Sequence, residues 1–297
     1  MSTQHNSGPD QHPGLPQDLQ NIQLQSQRRR MTLAWLAGAG VGGGAMTLLG
    51  CGGGGSSASS AAGTGTSTGT GTGTSTGSGS SSCTVIAQET SGPYPGDGSN
   101  SVNGSVVNAL ALSGIVRSDI RSSIAGVTGT ASGVPMTVTI QLVNTQNSCA
   151  DLAGYAIYLW HCDAGGNYSL YSSGAILQNY LRGVQISGSD GKVTFTTIVP
   201  GCYSGRMPHM HFEVYPSAAA ATRAGNAIAT SQIAFPTDIC TTVYSSATGY
   251  SGSSQNLASM SFATDGVFSD GTSTEMATVT GSVAAGYAAS LTVGIAA

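Results

Sequence analysis

The chain has 297 residues, a net charge of -4 and only 9 lysines and arginines, three of which are the consecutive Arg28, Arg29 and Arg30. So few dispersed cations exclude a nucleic-acid surface, whose affinity is built on phosphate neutralisation. The glycine-rich first third lacks the composition of a packed core, so the folding unit is expected to be one domain of about 200 residues.

Residues 1–30 are polar and end in SQRRR; residues 31–50, MTLAWLAGAGVGGGAMTLLG, are apolar but diluted by glycine and alanine; Cys51 follows. A basic segment before a modest apolar one reads as an export signal over residues 1–51, and the paired arginines point to the twin-arginine (Tat) route. The run LLGC resembles a bacterial lipobox, so Cys51 is expected to be acylated and to tether the protein to a membrane, in the periplasm or at the cell surface. An uncleaved spanning helix is the alternative, disfavoured by the glycine content. Residues 52–82 hold no charge, proline or aromatic ring. They cannot bury enough apolar surface to offset the entropy of ordering, and a flexible tether spanning on the order of 30 Å is expected.

Beyond Cys51, the cysteines Cys83, Cys149, Cys162, Cys202 and Cys240 are scattered without the C-x-x-C spacing of a metal site. In an oxidising compartment two disulfides and one free thiol are expected, with connectivity open.

From residue 83 onward apolar residues recur mostly with period two, the mark of half-buried strands. Residues 135–143 set Met136, Val138, Ile140 and Leu142 against Thr137, Thr139 and Gln141. Residues 154–162 are apolar on both faces and read as a central strand; residues 191–199 alternate again, with Val193, Phe195 and Val199 opposed to Lys192, Thr194 and Thr196. Turn clusters (DAGGN, SGSDG, VPGCYSG) separate these runs, and no long segment carries a helical period. The expected fold of residues 83–297 is all-β, a β-sandwich of mixed or antiparallel strands with long loops around a site.

In MPHMHFEVY the strand period puts His209, His211, Glu213 and Tyr215 on one side and Met210, Phe212 and Val214 on the other. The apolar side can enter the sandwich while two imidazoles project together, a common way to bind a metal. Alone this is weak evidence, because surface strands carry paired histidines by chance. Two of the domain's three histidines lie here, however, and the preceding PGCYSGR turn can bend Tyr203 toward them. Tyr168 sits in another glycine-rich turn after the central strand. Phenolate is a hard anionic donor, so two phenolates with two imidazoles favour ferric iron over zinc or copper(I). By residue type alone, packing is the simpler role for either tyrosine, in a chain that has 11.

The runs YLWHCDAGGNYSLYS and YLRGVQISGSDGKVTFTTIVPGCYSGRMPHMHFEVY, with ETSGPYPGDG upstream, resemble the core of the intradiol ring-cleavage dioxygenases, non-haem iron enzymes that include protocatechuate 3,4-dioxygenase and catechol 1,2-dioxygenase. The agreement spans roughly residues 88–215 and keeps many offsets in order. It implies that Tyr168, Tyr203, His209 and His211 bind Fe(III). It also implies that Tyr203 is the ligand an arriving catecholate displaces, that Tyr168 stays bound, and that Arg206 stabilises charge developing on the ring. The implied reaction uses O2 to open a catechol-type ring between its two oxygenated carbons, giving a cis,cis-muconate-type diacid. His161 and Asp163 fall to supporting or structural roles. Cys202 stands where the family more often has an aromatic residue, and is expected either as a half-cystine fixing the turn or as a free thiol. The helical dimerisation segment of the catechol 1,2-dioxygenases has no counterpart, and the oligomeric state and the particular catechol stay open.

The tail, residues 216–297, is expected to add partner strands and turns, with ATVTGSVAAGYAASLTVGIA as a closing strand or pair. A competing reading is an exported, non-enzymatic β-sandwich lipoprotein that binds a ligand or iron. Copper or zinc held by His209 and His211 alone is a third.

Overall fold

The computed structural model describes residues 83–297. The expected export signal over residues 1–51, including Cys51, and the tether over residues 52–82 lie outside the described residues.

A short hairpin, β1 (Asp97–Val102) and β2 (Ser105–Asn108), precedes two sheets. The first sheet is built on β3 (Pro135–Asn144). One edge of β3 pairs in antiparallel with β4 (Ala150–Asp151) and β7 (Lys192–Ile198); the other pairs in parallel with β11 (Gly286–Ile295), which forms a hairpin with β10 (Thr278–Ser282). The second sheet is antiparallel throughout, in the order β6 (Arg182–Ile186), β5 (Ala156–Trp160), β8 (His209–Tyr215), β9 (Ala229–Ala234). This is the expected β-sandwich, with the anticipated closing pair.

Alternation along β3 and β7 sends Met136, Val138, Ile140, Leu142, Val193 and Phe195 inward, into one buried cluster with Ile157 and Leu159 of β5 and Met210, Phe212 and Val214 of β8. A one-residue slip of either strand would turn its whole apolar set toward solvent, so burial fixes the register. Every side chain of β5 is buried, as its unbroken apolar run requires. Its second face, Tyr158 and Trp160, packs with Leu110, Ile115, Tyr168 and Tyr215 in a separate cluster beneath long loops.

The tail departs from the expectation of strands and turns alone. Thr237–Ser246 and Ser251–Ala258 are helices, α1 and α2. Asp238 in the first turn of α1 complements the helix dipole, and Cys240, Val243 and Tyr244, spaced i, i+3, i+4, form its buried stripe. Three anchors among strand-favouring Ile239, Thr241, Thr242 and Val243 are too few to establish a helical period in sequence.

Cysteine pairing also differs from expectation. Cys83–Cys149 is the single disulfide among the described residues, while Cys162, Cys202 and Cys240 are free and buried. Burial pushes all three thiols up, holding them protonated, so they act as small core residues rather than nucleophiles.

Candidate metal centre

Strand register lays the floor of the site. On the face of the second sheet turned away from the sandwich core, Arg182, Trp160, His211 and Gln232 stand in one row across β6, β5, β8 and β9. Trp160 stacks on the His211 ring, with 5.0 Å between centroids and 4° between planes, which restrains the imidazole's orientation. His209, two residues earlier on the same face, has Nδ1 2.6 Å from the Met207 carbonyl. A carbonyl only accepts, so Nδ1 carries the proton and Nε2 presents a lone pair. That Nε2 lies 3.0 Å from Nε2 of His211 and 3.3 Å from the Tyr203 hydroxyl.

Two turns bring the tyrosines over this floor. The Gly201 N–H donates to the Asp163 carbonyl at 3.1 Å, an approach open only to glycine, since a Cβ would stand 2.4 Å from that oxygen. Asp163 shapes its own turn, accepting at Oδ1 from the N–H groups of Gly165 and Asn167, each at 2.9 Å. The Tyr168 ring then meets Tyr203 edge-on at 5.8 Å and lies 6.3 Å from His211, with Tyr94 packed against it at 4.9 Å. The Tyr203 turn is braced by the helical tail: Ser253 Oγ accepts from Cys202 N at 2.8 Å, Asn256 Nδ2 donates to Cys202 O at 2.8 Å, and the Tyr244 hydroxyl donates to Pro200 O at 2.7 Å. Of the two roles open to Cys202, the structure realises the free thiol, and hydrogen bonds from α1 and α2 hold the turn in place of a disulfide.

Burial pushes both His209 and His211 well below the usual imidazole range, into the neutral form that ligates metals; the charge of Arg206 adds to the effect on both, and each imidazole's nearness to other histidine charge adds further. Among the described residues no group of three His, Cys, Asp or Glu side chains could hold a metal; the further protein donors beside these histidines are the phenols. Two donors about 2.1 Å from one ion and at right angles are themselves ~3 Å apart, which matches the separation of the two Nε2 atoms. Phenols lose their protons readily against a trivalent cation, and the set of two imidazoles and two phenols suits ferric iron. The residues present fit that ion.

Arg206 is buried beside this cluster. Its Nε donates to both carboxylate oxygens of Asp265 at 3.1 and 3.0 Å, and its Nη2 donates to Gln232 Oε1 at 2.6 Å. The guanidinium lies over Phe268, 5.5 Å from the ring centroid, and Phe268 stands edge-on to His209 at 6.2 Å. Asp265, Gln232, Phe268 and Trp160 are therefore site residues that sequence reasoning missed. An Asp-Gly pair such as Asp265-Gly266 reads as a turn whether or not its carboxylate is buried. Gln232 is legible only once β9 is registered against His211. Glu213 shares the strand face of the histidines but pairs instead with the Tyr215 hydroxyl, which donates to it at 2.6 Å; burial raises its pKa to about 8.

His161 takes a structural role. Its ring bridges the Cys162 carbonyl at Nδ1 (2.8 Å) and the Thr197 hydroxyl at Nε2 (2.6 Å). Burial lowers its pKa to about 4, with the nearby charge of Arg182 acting in the same direction. The folded-state pKa thus lies below the unfolded one of ~6.5, so the unfolded chain binds the extra proton first and stability falls as pH drops from ~6.5 toward ~4. The loss attributable to this ring is about 3 kcal/mol. Urea unfolding of the wild type and of His161→Gln should show the stability gap between them narrowing by about that amount between pH 7 and pH 4. A gap independent of pH would mean that His161 does not stay neutral in the folded protein.

Residues 117–242 match the Dioxygenase_C family model, described as Dioxygenase. Among solved structures, an intradiol ring-cleavage dioxygenase from Tetranychus urticae is similar at 23% identity with a TM-score of 0.52, covering 72% of this chain and 94% of that one. The dioxygenase Tetur07g02040 is similar at 22% identity with a TM-score of 0.51 and the same 72% and 94% coverage. Similarity at that level establishes the fold. No curated protein matches the chain.

Proposed function

We propose, for a chain whose residues 117–242 match the Dioxygenase_C family model, that it is an intradiol ring-cleavage dioxygenase, that Tyr168, Tyr203, His209 and His211 hold a non-haem ferric ion and that the protein opens catechol-type aromatics with O2 between their two oxygenated carbons. The observation that carries this reading is the convergence at His209 Nε2 of the His211 Nε2, 3.0 Å away, and the Tyr203 hydroxyl, 3.3 Å away, with a second phenol ring alongside. When bound there, a ferric ion would supply the Lewis acidity that holds a catechol as its dianion and primes the ring for dioxygen.

The chain's own residues divide the remaining work. Tyr203 is half-buried and rests on a turn, so it is the ligand best able to swing out, and its oxygen can then take a catechol proton. Tyr168 is 1% exposed and enclosed by Tyr94, Tyr203 and His211, which keeps it in place. Arg206 offers a fixed positive charge where negative charge grows on the ring, and Phe268 closes an apolar wall beside it. Both atoms of O2 end in the diacid product.

Purified protein supplied with ferric iron is expected to be burgundy to red from phenolate-to-iron charge transfer, and to consume one O2 per catechol. A colourless protein that takes up no iron would sink the reading. A colour shift on adding catechol without oxygen uptake would instead support the non-enzymatic binder. An oxygen-electrode series over catechol, protocatechuate, hydroxyquinol and larger diphenols identifies the substrate.

Within the same proposal the protein is exported by the Tat route and lipid-anchored through Cys51. Its support is the order of basic segment, apolar segment and LLGC, together with a disulfide that an oxidising compartment sustains. Labelling cells with a palmitate analogue checks it: Cys51→Ala should lose the label that the wild type carries.

A further inference from the structure

We propose that Asp265 is a positioning residue of this site, one carboxylate that fixes both the guanidinium of Arg206 and the backbone that aims His209. The inference rests on the reading of the site as a ferric catechol centre. Asp265 arrives from the tail, 59 residues after Arg206, and the two side chains are 0% and 3% exposed. Beyond accepting Arg206 Nε at both oxygens, its Oδ2 accepts the Met207 N–H at 2.6 Å. The Met207 carbonyl in turn accepts Nδ1–H of His209, also at 2.6 Å. Met207 is thus gripped on its N–H by Asp265 and on its C=O by the histidine, so movement of the carboxylate would pass through one residue to the ring.

The carboxylate is itself held. Its Oδ1 accepts the N–H groups of Val267 and Phe268 at 2.8 and 3.1 Å, which ties it to its own turn and to the ring that lies under Arg206. The guanidinium has a second tie at Nη2 to Gln232, whose Nε2 donates to the Thr90 carbonyl at 2.9 Å. Two acceptors from separate elements define the plane of a rigid, forked cation, which a single acceptor would leave free to rotate. Outer partners of this kind, which touch neither metal nor substrate, commonly change metal affinity or activity by about 10–100-fold when removed.

Asp265→Asn preserves volume and can keep one bond to Arg206. Its amide NH2 forfeits fewer bonds at Oδ2, which accepts Arg206 Nε and Met207 N–H, than at Oδ1, which accepts Arg206 Nε, Val267 N–H and Phe268 N–H, so the Oδ2 junction breaks. In metal-free protein, hydrogen exchange at Arg206 Nε–H, followed by 15N NMR, is expected to quicken at least about tenfold. In iron-loaded protein, kcat for oxygen uptake is expected to fall by about 10–100-fold and the phenolate-to-iron band to shift, while thermal unfolding stays cooperative. Asp265→Glu, which keeps the charge but not the reach, should lie between the two in exchange and kcat, and it serves as the decisive variant if the asparagine form does not fold.

Exchange at the wild-type rate in either variant would overturn the proposal, as would faster exchange with unchanged kcat, KM and spectrum. A wild type that consumes no oxygen with any catechol overturns the catechol reading, and the positioning role falls with it. Normal wild-type turnover with indifferent variants overturns the positioning role alone.

Discussion

Replacing His211 with alanine is expected to leave a folded domain that binds no ferric iron and opens catechol rings at least about 10^3-fold more slowly, since a Lewis-acid metal supplies several kcal/mol and each decade is ~1.4 kcal/mol. The fold should survive because His211 projects away from the inter-sheet core, whose contribution from β8 comes from Met210, Phe212 and Val214. The site should not, because His211 is one of the two imidazole donors proposed and its ring is held in orientation by stacking on Trp160. Iron content after dialysis, together with the far-UV circular dichroism of the same sample, separates loss of metal from loss of fold. The same assay on Tyr168→Phe and Tyr203→Phe distinguishes a four-donor site from an ion held by the histidines alone. Metal content unchanged in both phenylalanine variants would exclude the phenols as ligands.

Arg182→Ala is expected to cost about 4 kcal/mol or more of stability, the largest single effect outside the ligands. Arg182 is wholly buried, and its hydrogen bonds go to the carbonyls of Pro95 (2.6 Å), Tyr94 (2.9 Å) and Ser169 (3.0 Å), the Ser169 hydroxyl (3.0 Å) and the Tyr158 hydroxyl (3.1 Å). Truncation removes the donor to two buried carbonyls, Pro95 and Ser169, and to the half-buried carbonyl of Tyr94, and leaves a cavity, each of which is costly. The effect should reach the proposed metal site, because Tyr94 packs on Tyr168 and Ser169 is next to Tyr168 in the chain. Arg182→Lys restores the charge but not the fork, so it is expected to recover only part of the loss. Urea unfolding measures it, and a loss below ~1 kcal/mol would show that the loop at Tyr94 and Pro95 is held by other means.

Alternation made the sandwich legible before any coordinates. It placed Met136, Val138, Ile140 and Leu142 together, and it split β8 into a core face and a histidine face, because a half-buried strand writes its geometry at period two. Which strands lie side by side is not written at that period. The row of Arg182, Trp160, His211 and Gln232 exists only because β6, β5, β8 and β9 pair in that order, so the tryptophan that orients His211 and the glutamine that pins Arg206 could not be found from spacing. The four proposed ligands could be named because the runs that carry them resemble the intradiol dioxygenase core; residue type and spacing alone left both tyrosines as packing. Asp265 was hidden for the opposite reason: its partner is distant in sequence, and a buried ion pair leaves no local pattern. The helices were hidden by brevity, and the state of the cysteines by geometry, since a disulfide requires Cα atoms within a few ångströms and not merely two cysteines in one compartment.

The Cys83–Cys149 bond also bears on mechanics. Cys83 is the first described residue, and Cys149 lies in the turn after β3, the strand on which the first sheet is built. Tension transmitted along the chain from an anchor at residue 51 would enter the domain at this covalent link and pass to that turn. It would bypass the bridge from Val85 to Gly294 and the hydrogen bonds of Ile86, Ala87 and Glu89 that follow it, which could be peeled open one contact at a time. The domain would thus resist a pull from its N-terminal side by a bond whose rupture is chemical, while the proposed iron site, on the outer face of the second sheet, would stay out of the line of force.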